Sequence, residues 1–270
     1  PPMVLYVKGR RLPAHQDQVA VVGSRTPTPY GVKTAGKLAA DLGRSGIGVV
    51  SGMARGIDTA AHWGSLGTHG GTVAVLGTGI DRVYPRSNGM LFERIVEKGA
   101  VVTEFPLGTP PEPQNFPARN RIISGLSQGV VVVEAARRSG SLITASLALD
   151  QGRDVLAVPG SVRSFKSKGC HFLLKQGAAL AESAEDVLET LGLQPRFPVS
   201  RADVDENSTS RAALSPDEAR VMALLGDDPV HIDRIVRGAR MAPSSVLGLL
   251  TKMELMGLVE QLPGKLFVRS

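Results

Sequence analysis

The sequence predicts an α/β protein: a doubly wound, mostly parallel sheet followed by a small helical unit. Three observations predict it. From Val19 to Val158, short β-branched runs, Gly-rich turns and amphipathic stretches recur in that order. The β-branched runs are continuous rather than alternating, as in strands buried on both faces. The chain of 270 residues contains 31 Gly, which suits many tight strand–helix turns. At 42% apolar residues, disorder throughout is excluded. The single cysteine, Cys170, excludes an intrachain disulfide and suits a reducing, cytoplasmic setting. No apolar run approaches the ~18–20 residues of a membrane span, and no signal peptide opens the chain.

In chain order, the expected strands are Val19–Val22, Ile47–Val50, Thr72–Leu76, Ala100–Thr103, Gly129–Val133 and Asp154–Val158. Helical periodicity lies between them, over Tyr30–Ser45, Ile57–Leu66, Asn88–Glu97, Ala118–Ser127 and Leu142–Gln151. Gly46, Gly67, Gly99, Gly129 and Gly152 stand where helices should stop in left-handed caps, and Gly177 does the same after Cys170–Gln176. Ala184–Leu191 closes the unit, which spans residues 1–192. Residues 193–213 lose periodicity and gain Pro, Ser and charge, so they read as a flexible linker. Residues 214–270 form the second unit. Ser215-Pro216-Asp217-Glu218 supplies an N-cap, a first-turn Pro and acids for one helix. His231–Arg237 is a second helix. Pro243–Met256 is a third, with a stripe of Val246, Leu249, Leu250 and Met253, ended by Gly257. Leu258–Gln261 and Leu266–Arg269 flank Pro263-Gly264 as a hairpin. Three helices and a hairpin in about 60 residues make a winged helix.

Charge divides unevenly. Residues 1–192 carry 21 basic and 15 acidic residues, whereas residues 211–270 carry 8 and 7. An anionic partner is therefore expected on the first unit. Aromatics at 4% argue against extended stacking platforms.

Ligands of open α/β sheets collect beyond the carboxyl ends of the strands. There the first strand runs into Gly23-Ser24-Arg25, and the second into Ser51-Gly52-Met53-Ala54-Arg55-Gly56. Gly admits a ligand to the backbone, Ser donates a hydrogen bond, and Arg forks onto phosphate. Ser139-Gly140-Ser141 is a third Gly/Ser helix start, and free N–H groups there would face an anion. Arg119-Asn120-Arg121 opens a helix after a Pro-rich loop. Arg is unfavourable against a helix N-terminus, so phosphate and base-edge contacts offer a reason for it. Each segment also has a plain reading: a turn with a surface Arg, or an N-cap.

Several motifs fail on context. Gly31 to Lys37 has Walker-like spacing but lies inside a helix and is followed by Leu38. Arg82 replaces the third Gly of a dinucleotide pattern begun by Gly77-Thr78-Gly79. Gly125–Gly129 matches G-x-S-x-G but runs from helix to strand, the reverse of a nucleophile elbow. The five His show no ligand spacing with Cys170 or a carboxylate, so neither a metal nor a cofactor is expected. Glu104 and Glu134 end strands at the ligand edge, where a lone carboxylate is more often structural than catalytic.

Together these residues resemble one family, the DNA-processing protein A (DprA/Smf) family of bacteria. The resemblance rests on GSRTPTPYG (Gly23–Gly31), SGMARGIDTAAH (Ser51–His62), TVAVLGTGIDRVYP (Thr72–Pro85), FPARNRIISGLS (Phe116–Ser127), VVEAARRSGSLITA (Val132–Ala145) and GRDVLAVPG (Gly152–Gly160). It implies an extended Rossmann-like fold with a terminal winged helix, and a homodimer. It implies a non-enzymatic recombination mediator that binds incoming single-stranded DNA in natural transformation, protects it and helps load RecA recombinase. Duplex DNA stays open as a second ligand. The DNA-binding set it implies is Gly23, Ser24, Arg25, Ser51, Gly52, Arg55, Gly56, Arg119, Asn120, Arg121, Ser141 and Lys168. Members often carry an extra N-terminal helical domain, whereas this chain starts on Pro1-Pro2-Met3-Val4, at the opening of the α/β unit. In the Lys168–Leu174 segment His171 stands where members usually have Asn. Two other classes compete. Phosphoribohydrolases of the "lonely guy" group share a related sheet, but their P-G-G-x-G-T signature is only loosely echoed around Glu134 and Ser139–Ser141. A transcription regulator would read duplex DNA through the winged helix, whose third helix carries only Lys252 as a base.

Overall fold

The computed structural model describes residues 1–10, 17–197, 215–226, 229–256 and 258–269. The chain divides into two compact units, Pro1–Val199 and Ser200–Ser270. In the first, strands β1 (Tyr6–Gly9), β2 (Gln18–Gly23), β3 (Gly48–Ser51), β4 (Thr72–Val75), β5 (Ala100–Thr103), β6 (Gly129–Val133), β7 (Asp154–Ala157) and β8 (Ala179–Leu180) form one sheet. Its order is β1-β5-β4-β3-β2-β6-β7-β8, parallel except for β1, which pairs antiparallel with β5. The helices are α1 (Pro29–Arg44), α2 (Ile57–Ser65), α3 (Gly89–Lys98), α4 (Asn115–Gly125), α5 (Gly140–Asp150), α6 (Lys168–Lys175) and α7 (Ala184–Leu191).

The continuous apolar runs are explained by two covered faces. In β2, Val19 and Val21 join α1, α2 and α7 in one core, while Ala20 and Val22 join α4, α5 and α6 in another. Strand order reverses at β2: β3, β4 and β5 extend to one side, β6 and β7 to the other. The crevice between β2 and β6 is thus a topological switch point.

Two expected caps are corrected. Gly46, Gly67, Gly152 and Gly177 have positive φ. Gly99 instead adopts φ −140°, and Gly129 opens β6. Both are crowded positions: a Cβ would meet Thr72 O at 2.3 Å from Gly99, and Leu191 Cδ2 at 2.6 Å from Gly129. Part of the expected linker is also corrected. Leu193 packs on the first core, Arg196 N–H donates to Ser45 O (2.9 Å), and Phe197 stacks on His69 at 4.2 Å. The rest of that linker, 198–213, and Gly257 lie outside the described residues.

The second unit comprises α8 (Pro216–Met222), β9 (Val230–His231), α9 (Ile232–Ala239), α10 (Pro243–Leu255), β10 (Val259–Leu262) and β11 (Leu266–Arg269). Ser215 and Glu218 cap α8 reciprocally in a capping box. The three strands pair in the order β10-β11-β9 over a core that includes Ile235, Val246, Leu250 and Phe267. This is a winged helix.

Candidate functional site

A cleft of about 420 Å³ opens at the switch point, between the carboxyl ends of β2 and β6. One wall is Gly23, Ser24 and Arg25 after β2. The opposite wall is Ser139, Gly140 and Ser141 at the start of α5, with Asn120 of α4. Phe116 and Pro117 form the rim, and Asp58 and Arg119 lie at the floor. At the mouth, the exposed Arg25 guanidinium lies 5.7 Å from the Phe116 ring centre, within cation–π range.

Of the residues singled out from sequence, the cleft gathers Gly23, Ser24, Arg25, Arg119, Asn120 and Ser141. The others hold it in shape or lie apart. Gly23 admits the neighbouring strand: a Cβ there would fall 1.8 Å from Val133 O. Ser51 is fully buried and donates to Val21 O (2.6 Å), tying β3 to β2. Gly56 has φ +82°, and its own Cβ would strike Ser24 O at 2.3 Å. Ser24 O accepts from Ile57 N (3.1 Å), so the two Gly-rich loops brace each other. Arg55 is exposed on its loop, and Arg121 is ion-paired with Glu104. Lys168 is exposed at the start of α6.

Arg119 does not face solvent at the helix start. It is 4% exposed, and Nη1 donates to Gly52 O (2.8 Å) and to Val75 O. Strand ends leave carbonyls without ladder partners, and a guanidinium can satisfy several at once. Burial lowers its pKa to about 10, with the nearby Asp58 opposing that shift. Asp58 is likewise buried and accepts from Gly52 N (3.2 Å) and Ala54 N (3.3 Å). Burial pushes its carboxyl above the usual range, against the pull of Arg119 and these two N–H groups.

Sequence reasoning missed the scaffold under the loop. His62 is fully buried, and burial, helped by Arg119, drops its pKa to about 3. Nε2 of this neutral ring accepts from Met53 N (3.3 Å), so Nδ1 carries the proton and donates to Thr72 Oγ1 (2.7 Å). Asn88 Nδ2 donates to Met53 O (2.9 Å) and Thr59 Oγ1 (2.9 Å). Met53 itself is held at φ +53°. The available signal was the i, i+4 spacing of Asp58 and His62, which puts both on one helix face. Glu134, also buried, accepts from Thr28 N (2.8 Å) and from the Thr28 hydroxyl. It secures the turn into α1 and stands at φ +51°.

Comparison with known proteins agrees with this architecture. The family model described as DNA recombination-mediator protein A matches residues 1–192, and the DprA winged helix domain matches residues 205–265. Protein Smf of Escherichia coli (strain K12) is 42% identical over 271 residues, covering 97% of this chain and 71% of the relative. The solved structure of DNA processing protein A from Streptococcus pneumoniae is 44% identical with a TM-score of 0.63, over 73% of this chain and 67% of that one. The one from Helicobacter pylori, described for its single-stranded DNA binding mode, is 30% identical with a TM-score of 0.64, over 71% and 87%.

Proposed function

The chain belongs to the DNA recombination-mediator protein A family, and from that premise we propose that its α/β unit binds single-stranded DNA without regard to sequence. The observation that carries this reading is Arg25. Its guanidinium is exposed at the cleft mouth over Phe116, facing the N-terminal turn of α5, whereas the charges of Arg119 and Arg121 are spent inside the protein. A cation, a ring and the N-terminal turn of a helix at one opening suit phosphate and base together. The finer steps belong to the same proposal: protection of the incoming strand in natural transformation, loading of RecA recombinase, a homodimeric state, a cytoplasmic setting, and duplex DNA as a second ligand.

Phosphate contacts give affinity without sequence and make it salt-sensitive. Arg25→Ala should weaken binding to all oligonucleotides alike and make the log–log salt dependence shallower by about 1. Unchanged binding at low and moderate salt would overturn the reading. No turnover is expected, because Glu134 is committed to Thr28 and His62 is buried and neutral. Hydrolysis of nucleotide monophosphates that Glu134→Gln abolishes would replace this proposal with the phosphoribohydrolase one.

A further inference from the structure

The carboxyl edge of the sheet is electrostatically lopsided. After β5, residues 104–114 carry Glu104 and Glu112 and no base. After β4 come Asp81, Arg82 and Arg86, and after β3 and β2 one arginine each, Arg55 and Arg25. After β6 come Arg137 and Arg138, both exposed. After β7 come Arg163, Lys166 and Lys168, with no acid anywhere from 155 to 181. Counting the buried Glu134 that precedes Arg137 and Arg138, the loops after β4, β3, β2 and β6 each carry one net positive charge, so the edge is most negative after β5 and most positive after β7, with the cleft between the two.

The last loop also carries an aromatic ring out of place. Phe165 is 65% exposed, between Arg163 and Lys166. Its loop is firmly anchored. Ser161 Oγ accepts from Arg163 N (3.3 Å), and Ser164 Oγ accepts from Lys166 N (3.2 Å). His171 Nε2 donates to Gly160 O (2.9 Å), Tyr30 Oη donates to Pro159 O (3.1 Å), and Lys166 Nζ reaches Thr26 O beside Arg25. Gly169 N donates to Ala135 O (2.6 Å), which brings Lys168 up to the loop that carries Arg137 and Arg138. The ring stands exposed on a hydrogen-bonded turn that touches both neighbouring loops of the cleft.

An exposed ring among bases is poorly suited to a second copy of itself, because the cations would repel. It suits a polyanion with flat apolar faces. We infer that residues 158–168 are a second nucleotide-binding element, in which Phe165 is the platform for an unpaired base outside the cleft and Arg163, Lys168, Arg137 and Arg138 carry the phosphates leading to it. This rests on the single-strand reading above and gives it a direction: the strand leaves the cleft toward β7 and away from β5.

The test compares dT3, long enough for the cleft alone, with dT20, using anisotropy on the full chain. Phe165→Ala should weaken dT20 about tenfold or more, as loss of one stacked base implies, with dT3 unchanged and the salt slope intact. Phe165→Tyr should retain dT20 affinity. Arg163→Ala with Lys168→Ala should make the dT20 salt slope shallower by about 1.4 for two phosphates. Phe165→Trp, read above the Trp63 background, should be quenched by dT20. Unchanged dT20 affinity in Phe165→Ala overturns the inference whatever the salt slope does. Loss of binding to phosphatidylglycerol vesicles with dT20 affinity intact overturns it by reassigning the loop to an anionic lipid surface. A native chain that binds neither oligonucleotide overturns the single-strand reading itself.

Discussion

At the scale of single residues, the floor of the cleft is a small buried electrostatic machine. Arg119 bridges the carbonyls of Gly52 and Val75, Asp58 gathers the N–H groups of Gly52 and Ala54, and His62 holds Met53 N. The chain therefore fixes the Gly52–Gly56 loop with side chains that hydrogen-bond to the loop's own backbone. Arg119 was legible as important but not as buried, because arginine is rarely found inside and its partners are carbonyls from two distant strands. The His62 geometry gives a pH prediction with a definite sign. Its folded pKa of about 3 lies below the ordinary value of 6.5, so the unfolded chain takes up the proton first as pH falls. The stability it contributes is whole above pH 6.5 and drains away from there down to about pH 3, at up to ~1.4 kcal/mol per pH unit. Asp58, held high by burial, acts with the opposite sign, so the difference between variants is the quantity to read. His62→Gln should be less stable at pH 7 by about 1–3 kcal/mol, and the gap should shrink on acidification from pH 6.5 to 4. Urea midpoints at four pH values would show it. A gap that stays constant would mean the ring does not change protonation preference on folding.

At the scale of elements, strands covered on both faces were legible because continuous β-branched runs leave few alternatives. Ala100–Thr103 and Gly129–Val133 stand as the pattern gave them. The sequence reading missed β1, β8 and β9, since two to four residues at a sheet edge offer too little period to detect. The winged helix was legible from its caps and its stripe, but its charge state was not. Lys252, the one base of α10, forms a 2.8 Å ion pair with Glu218 of α8, and the hairpin carries only Lys265 and Arg269 against Glu260. A recognition helix with its cation engaged inside its own unit has little left for phosphate. Residues 211–270 alone should therefore bind duplex or single strands far more weakly than the full chain at near-physiological salt. A titration in which this piece matches the full chain would make it the primary reader instead.

At the scale of the whole molecule, the β8 edge of the sheet is unfinished. Strand β8 has only two residues, pairs with β7 on one side and, among the described residues, pairs with no strand on the other. Leu173 and Val187 nearby are buried, yet Phe172 on α6 is 44% exposed and Leu180 on β8 is 48% exposed. An open edge beside exposed large apolar side chains is a surface that a twofold copy would cover, each chain offering the same patch to the other. Covering the exposed half of two such side chains gives about 1.5–3 kcal/mol per protomer before association costs, enough for a micromolar dimer only if the surrounding contacts supply most of the rest. Phe172→Glu and Leu180→Glu place charge in that patch at positions where no core packing is lost. Sedimentation equilibrium of residues 1–192 should show dimers at tens of micromolar, and either variant should shift them to monomers with an unchanged melting temperature. Monomers of the unaltered unit at that concentration would show that Phe172 and Leu180 are ordinary surface residues. Monomers formed only with a fall in melting temperature would show that they support the fold of their own chain.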